Sequence, residues 1–463
     1  MTITGRPVAG EGDGRSRRAV VLIHGIGEQR PTGTLRGFVD GLDLGPAWSK
    51  PDRVSDNLEL RRMSVYRHGA PATDLYELYW AHHAAPSSPR QVLGWLARLL
   101  TRRSAWSGGP ASPALNVLTV LGAAALVIAV VLALTTARRE GVAAWLTAPP
   151  FWAALTVAAV QFLAQPVLTR RLADAERYLT PDPGNIAART AIRTEGLTLL
   201  RRLHEVGIYD RVVVVGHSLG SVIGYDVLRL FWDEARWPTF ERAGPQPEAE
   251  RFVLEHGDPL SLRRGQVEIY QRVQHRLWQE QRSRGVPWLV TDFVTLGSPL
   301  AHGRLLLETP SATLTRRQDD LELPTCPPMP SLDPDEGDDR EATFYPTVLR
   351  KGGQERVALV GNHGALFGPT RWTNLYVPAC AAVWGDPVGG PLREVFGTGI
   401  RDVAVHHSGR HRRWWHRLLP LRSHLRYWAP LDRPPRVRER TVEAVPALRE
   451  AIGLGQVDGP PPA

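Results

Sequence analysis

Apolar positions along the chain fall into two patterns. Short apolar runs bounded by polar or glycine-rich turns recur at Ala19–Ile23, Leu58–Tyr66, Leu75–Trp80, Val212–Val215, Pro287–Leu296, Arg371–Val377 and Ile400–Val405. Runs of this length read as strands, and the four consecutive valines at 212–215 read as a strand buried on both faces. Between them lie stretches with helical spacing. Asn185–Val206 aligns Leu197, Leu200 and Leu203, and the residues after Gly220 carry Ile223, Val227, Leu228 and Phe231. A third such pattern surrounds Val267–Trp278. Strands alternating with helices predict an α/β fold, a mostly parallel sheet flanked by helices.

Two longer apolar runs break this rhythm. Leu115–Leu134 holds no charge over about twenty residues, the length that crosses a hydrocarbon core. Val142–Leu168 is also apolar but contains Pro149, Pro150, Gln161, Gln165 and Pro166. Together they predict a two-helix transmembrane hairpin inserted in the α/β fold, with spans at 115–134 and 145–168. Arg90, Arg98, Arg102 and Arg103 precede the pair and Arg170, Arg171 and Arg177 follow it, against Arg138 and Arg139 between. That bias predicts a multi-pass membrane protein with both flanking halves in the cytoplasm. The expected organisation is a disordered lead-in over 1–18 without the apolar core of a secretory signal, and a first core part over 19–89. A membrane-associated insertion over 90–178 comes next. The second core part, 179–432, carries a cap-like insertion at 233–285 and a mobile loop at 308–343, and a C-terminal helix and tail occupy 433–463.

The chemistry concentrates behind the valine strand. Gly216-His217-Ser218-Leu219-Gly220 joins that strand to the following helix. Strand, G-x-S-x-G and helix in succession form a turn too tight for side chains at Gly216 and Gly220, with the Ser218 hydroxyl exposed above the sheet as a nucleophile. The helix N-terminus behind it offers backbone N–H groups to an oxyanion. The first strand runs into His24-Gly25-Ile26-Gly27.

VVLIHGIGEQR, VVVVGHSLGSVIGYDVL and the phrase TLGSPL at Thr295–Leu300 together resemble the α/β-hydrolase superfamily, in particular its lipase- and esterase-like members. The resemblance spans residues 19–80 and 180–430, with gaps. It implies an oxyanion hole from the N–H groups of Ile26 and Leu219, with His24, Gly25, Gly216 and Gly220 as supporting motif residues. It also implies the chain order serine, acid, base. Asp386, in Asp-Pro-Val-Gly-Gly after the Arg371–Val377 strand, matches the acid, with Asp402 the other candidate. His424, in His-Leu-Arg-Tyr-Trp, matches the base, with His407 second.

Composition narrows the partners. The net charge is +9, yet the only lysines are Lys50 and Lys351. No basic block suits nucleic-acid recognition, so no nucleic-acid partner is expected. Arg410, Arg412, Arg413, Trp414, Trp415 and Arg417 suit membrane lipid headgroups. Cys326 and Cys380 allow one disulfide and imply no framework. The late histidines, His406, His407, His411, His416 and His424, have no carboxylate or cysteine at ligand spacing, so no metal and no cofactor are expected. The sequence thus predicts a membrane-anchored serine hydrolase that cleaves carboxylic esters of lipid-like small molecules through an acyl-serine intermediate. A thioesterase, amidase or acyltransferase on the same fold, or a non-catalytic membrane-bound interaction protein, are the alternatives.

Overall fold

The structure, a computed structural model, describes residues 16–26, 30–55, 57–67, 70–83, 178–180, 183–256, 266–309, 311–333, 338–378, 385–386, 388–406, 423–428 and 442–454. Its strands are β1 (Arg17–Ile23), β2 (Ala47–Pro51), β3 (Arg61–Val65), β4 (Ala72–Leu78), β5 (Arg211–His217), β6 (Val290–Leu296), β7 (Ser331–Asp333), β8 (Asp338–Ala342), β9 (Phe344–Lys351), β10 (Gln354–Gly361), β11 (Arg371–Tyr376), β12 (Arg401–His406) and β13 (Val442–Glu443). The principal helices are α1 (Gly33–Gly41), α2 (Pro183–Glu205), α3 (Leu219–Ala235), α4 (Pro247–His256), α5 (Val267–Ser283) and α6 (Ala444–Ala451).

Nine strands join one sheet in the order β13-β12-β11-β6-β5-β1-β4-β3-β2. All pairings from β13 to β4 are parallel, and only the β4–β3 and β3–β2 pairings at one edge are antiparallel. Side-chain alternation explains why both faces are apolar. On β5, Val212 and Val214 enter one core with Leu199, Leu200, Leu203 and Ile223, whereas Val213 and Val215 enter the other with Leu35, Phe38 and Leu448. On β1, Val21 and Ile23 take the first side and Val20 and Leu22 the second. Helices therefore cover both faces, α2, α3 and α5 on one and α1 and α6 on the other. The Tyr178 hydroxyl donates to buried Asp226 at 2.9 Å, and Arg193 and Arg229 pair with the same carboxylate, which ties α2 to α3.

Several expectations change. The transmembrane hairpin and the two-span membrane localisation are corrected: among the described residues no helix is long and apolar enough to cross a membrane. The longest, α2, has 23 residues but carries Arg189, Arg193, Glu195, Arg201, Arg202 and Glu205, charges that a hydrocarbon core rejects. The spans expected at 115–134 and 145–168, and the basic aromatic stretch from Arg410 to Arg417, lie outside the described residues. Residues 233–285 are not simply a cap. Val267, Tyr270, Val273 and Leu277 make one apolar stripe, and α5 lays it on the sheet in the first core. Residues 308–343, expected as a loop, contain a short helix at Leu314–Asp319 and the β7–β8 ribbon. The β9–β10 hairpin turns at Gly352 and Gly353, with φ of 58° and 79°, the left-handed pair that a two-residue turn requires. β2 escapes sequence reading because it is an exposed edge strand with no apolar run. Cys326 is a buried free thiol, and Cys380 lies outside the described residues.

One buried charge conflicts with the apolar packing. Glu77 on β4 is buried beside the start of α1, near Thr32, Thr34 and Leu35. Neither carboxylate oxygen has a hydrogen bond of ordinary geometry. Burial therefore pushes its pKa from 4.5 up to about 7, against weak support from those neighbours. Between these values the folded protein keeps a proton that the unfolded chain has released, so stability falls as pH rises from about 4.5 through 7. Glu77→Gln is expected to match the wild type near pH 5 and to exceed it at pH 8, by on the order of 3 kcal/mol. Thermal unfolding at the two pH values checks this; a variant less stable than the wild type at pH 8 contradicts it.

Candidate active site

Parallel strands deliver their carboxyl ends to one edge of the sheet, where ligands bind in open α/β folds. His24–Ile26 follow β1, Ser218 follows β5, Gly297 follows β6, and Asp386 and His424 come in the chain after β11 and β12. Register aligns the first of these: Ile23 pairs with Gly216, and His217 with Leu296.

Ser218 has φ 53° and ψ −128°, a backbone conformation that residues with a β-carbon rarely adopt. The turn is closed by contact. A β-carbon on Gly216 would lie 2.5 Å from Ser221 Cα, and one on Gly220 would lie 2.2 Å from the Ile23 carbonyl oxygen. Both glycines are thus required by the approach of β1, β5 and α3. Gly25 is equally confined, since its β-carbon would stand 2.8 Å from Ser218 Cβ. The Ser218 N–H donates to the Leu296 carbonyl at 2.9 Å, and the Ser221 hydroxyl donates to the Ser218 carbonyl at 2.6 Å.

The structure brings Ser218, His424 and Asp386 together. His424 Nε2 lies 2.8 Å from Ser218 Oγ, within hydrogen-bond distance of the hydroxyl. His424 Nδ1 donates to the Asp386 carboxylate, 3.1 Å from Oδ1 and 3.0 Å from Oδ2. Asp386 is fully buried and also accepts from the Tyr427 hydroxyl at 2.7 Å and from the Val388 and Gly389 N–H groups at 2.9 and 3.2 Å. Burial alone would raise its pKa, but the hydrogen bond and charge of His424, with Tyr427 and Val388, outweigh it and hold the carboxyl at about 2. The carboxylate is therefore ionised at neutral pH and fixes Nδ1 as the protonated ring nitrogen.

Leu219 opens α3 immediately after Ser218, and Ile26 follows the Gly25 that touches Ser218. Among the described residues neither N–H has a hydrogen-bond acceptor. His24 supports this loop from behind. Its ring stacks on Trp80 at 5.0 Å, its Nδ1 donates to the Gly25 carbonyl at 2.9 Å, and the Trp80 indole donates to the His24 carbonyl at 3.0 Å. Burial lowers the His24 pKa to about 4, so the ring is neutral.

The other candidates are placed elsewhere. Asp402 lies within β12 and accepts from Asn374 and from the Leu392 and Arg393 N–H groups, at 2.7 to 3.0 Å. It fixes the loop before the short helix at Arg393–Phe396 and does not meet His424. His407, His411 and His416 lie outside the described residues.

Two supporting residues were not singled out from the sequence. His217 is buried, and its Nε2 donates to the His424 carbonyl at 2.8 Å while its ring meets Trp428 edge-on at 4.9 Å. Burial first, and the neighbouring His424 second, lower its pKa to about 3, so it holds the base loop as a neutral donor. Tyr427 bridges two segments, donating to Asp386 and accepting from the Val377 N–H at 3.1 Å. Both stand inside motifs legible in the chain, GHSLG and His-x-x-Tyr-Trp. Their partners lie 207 and 41 residues away, which no local pattern reveals.

Gly297, with φ 54°, closes the site from below; a β-carbon there would lie 2.7 Å from Asp386 Oδ2 and 2.9 Å from His424 Nδ1. Gly297→Ala is expected to displace the acid–base pair and to slow fluorophosphonate labelling of Ser218 by about a hundredfold, with the folded circular-dichroism spectrum retained. Labelling at the wild-type rate in a folded variant contradicts this geometry.

Compared with known proteins, the chain matches no protein-family model, no curated protein and no solved structure, so the reading of this site rests on its own geometry.

Proposed function

We propose that this protein is a serine hydrolase of the α/β-hydrolase type, cleaving carboxylic esters through an acyl-serine intermediate. The observation that carries the reading is the continuous chain Ser218 Oγ, His424 Nε2, His424 Nδ1 and Asp386, with links of 2.8 and 3.0 Å. A serine hydroxyl is a weak nucleophile until an oriented base takes its proton, and the base needs an acid to hold its tautomer.

In the proposed reaction Ser218 Oγ attacks the ester carbonyl as His424 Nε2 accepts its proton. Negative charge develops on the carbonyl oxygen and is met by the Ile26 and Leu219 N–H groups. The tetrahedral intermediate collapses, and His424 returns the proton to the departing alcohol. Water then attacks the acyl-serine with His424 again as base. Asp386 remains ionised throughout, held low by its donors, and stabilises the imidazolium. Further support comes from the strained backbone at Ser218, which sets Oγ apart from the helix that follows.

Turnover of a short p-nitrophenyl ester by the full chain tests the reading. Ser218→Ala and His424→Ala are each expected to reduce kcat by about 10⁴-fold or more, Asp386→Asn by about 10⁴-fold, and His407→Ala to leave it nearly unchanged. Near-wild-type turnover in Ser218→Ala would sink the proposal, and loss in His407→Ala with activity kept in His424→Ala would reassign the base.

A further inference from the structure

A second cluster of chemically competent side chains lies apart from the Ser218 chain. The 3₁₀ turn at Ala81–His83 follows β4, and α2 passes beside it carrying Glu195. His83 Nε2 is 2.9 Å from Glu195 Oε2, and His82 Nε2 is 3.7 Å from the same oxygen. The three ligand atoms all lie within 4.8 Å of one another. The sequence expectation of no metal weighed only the late histidines, because Glu195 is separated from His82 and His83 by more than a hundred residues and only the fold joins them.

From this convergence we propose that His82, His83 and Glu195 bind a divalent transition-metal ion of the zinc class. A hydrogen-bonded histidine–carboxylate pair accounts for His83 and Glu195 alone. It does not require a second imidazole aimed at the same oxygen, with the two rings 3.9 Å apart between centroids. A metal ion about 2.1 Å from each ligand atom sets tetrahedral ligands about 3.4 Å apart. The observed 2.9 and 3.7 Å bracket that spacing. Two imidazoles with one carboxylate form a three-ligand set that leaves a further position for water or another donor.

Outer contacts orient His82, as metal ligands commonly require. His82 stacks on Tyr79 at 5.5 Å and 11°, and the Tyr79 carbonyl backs its ring. The three side chains are partly buried, from 24% to 43% exposed, so an ion reaches them from solvent. Tyr79 also contacts His24 at 5.6 Å, in the loop that presses Gly25 on Ser218. A metal ion here would brace the end of β4 to α2 beside the proposed oxyanion loop, without touching the Ser218 chain.

Titration of the chelator-stripped full chain with Co²⁺, followed by visible absorption and displacement by Zn²⁺, tests the site. One equivalent of Co²⁺ is expected to give d–d bands that Zn²⁺ abolishes. Loss of even an outer partner costs 10–100-fold in metal affinity, so His82→Ala, His83→Ala and the isosteric Glu195→Gln are each expected to weaken binding at least about tenfold. Circular dichroism and thermal unfolding confirm that each variant is folded. Absence of stoichiometric Co²⁺ binding in the wild type overturns the proposal. So does binding undiminished in the folded variants, which would place the ion at other histidines.

Discussion

The architecture at the candidate site depends on close backbone approach at one turn. β1, β5 and α3 meet so tightly that no β-carbon fits at Gly216 or Gly220, and Gly25 abuts Ser218 itself. That approach fixes Ser218 at φ 53° between a strand and a helix buried in two cores. Strain of this kind costs on the order of 1–3 kcal/mol and persists only where surroundings over-determine it. Here the surroundings are the valine strand, whose alternate side chains anchor it to both helical layers, and the Ser221 and Leu296 hydrogen bonds at the turn.

A second constraint is electrostatic. A fully buried carboxylate is costly, yet Asp386 stays ionised because four donors converge on it: His424, Tyr427 and the Val388 and Gly389 N–H groups. The ionised carboxylate in turn accepts from His424 Nδ1 and so pins the ring in one tautomer, with Nε2 facing Ser218 Oγ. Glu77 shows the contrast. It is as deeply buried but lacks well-formed partners, and its pKa rises where that of Asp386 falls. Partner geometry, rather than burial, separates the two.

Local patterns made much of this legible. The β1, β5, β6 and β11 runs announce themselves as apolar segments because a central parallel strand is buried on both sides. The GHSLG and HGIG turns are local sequences whose glycines report close approach directly. Asp386 and His424 stand in short motifs, but their meeting depends on how the chain returns after β11 and β12. The edge strand β2 and strand β9 carry exposed side chains and no continuous apolar run, so periodicity passes over them. The helical pattern of α5 is legible in the sequence, but the family resemblance assigns its place in the chain to a cap, whereas its narrow apolar stripe meets the sheet. Length and lack of charge predict the membrane hairpin, and no helix among the described residues has that character. Glu195 beside His82 and His83 is a purely tertiary feature.

The central claim, that the turn and the buried carboxylate make Ser218 a nucleophile, is tested most directly by mapping where an electrophile attaches. The full chain is treated with a fluorophosphonate at neutral pH, and the modified peptide is located by mass spectrometry. One adduct on Ser218, absent from His424→Ala, is the predicted result. An unmodified chain, or an adduct on another residue with Ser218 untouched, contradicts it.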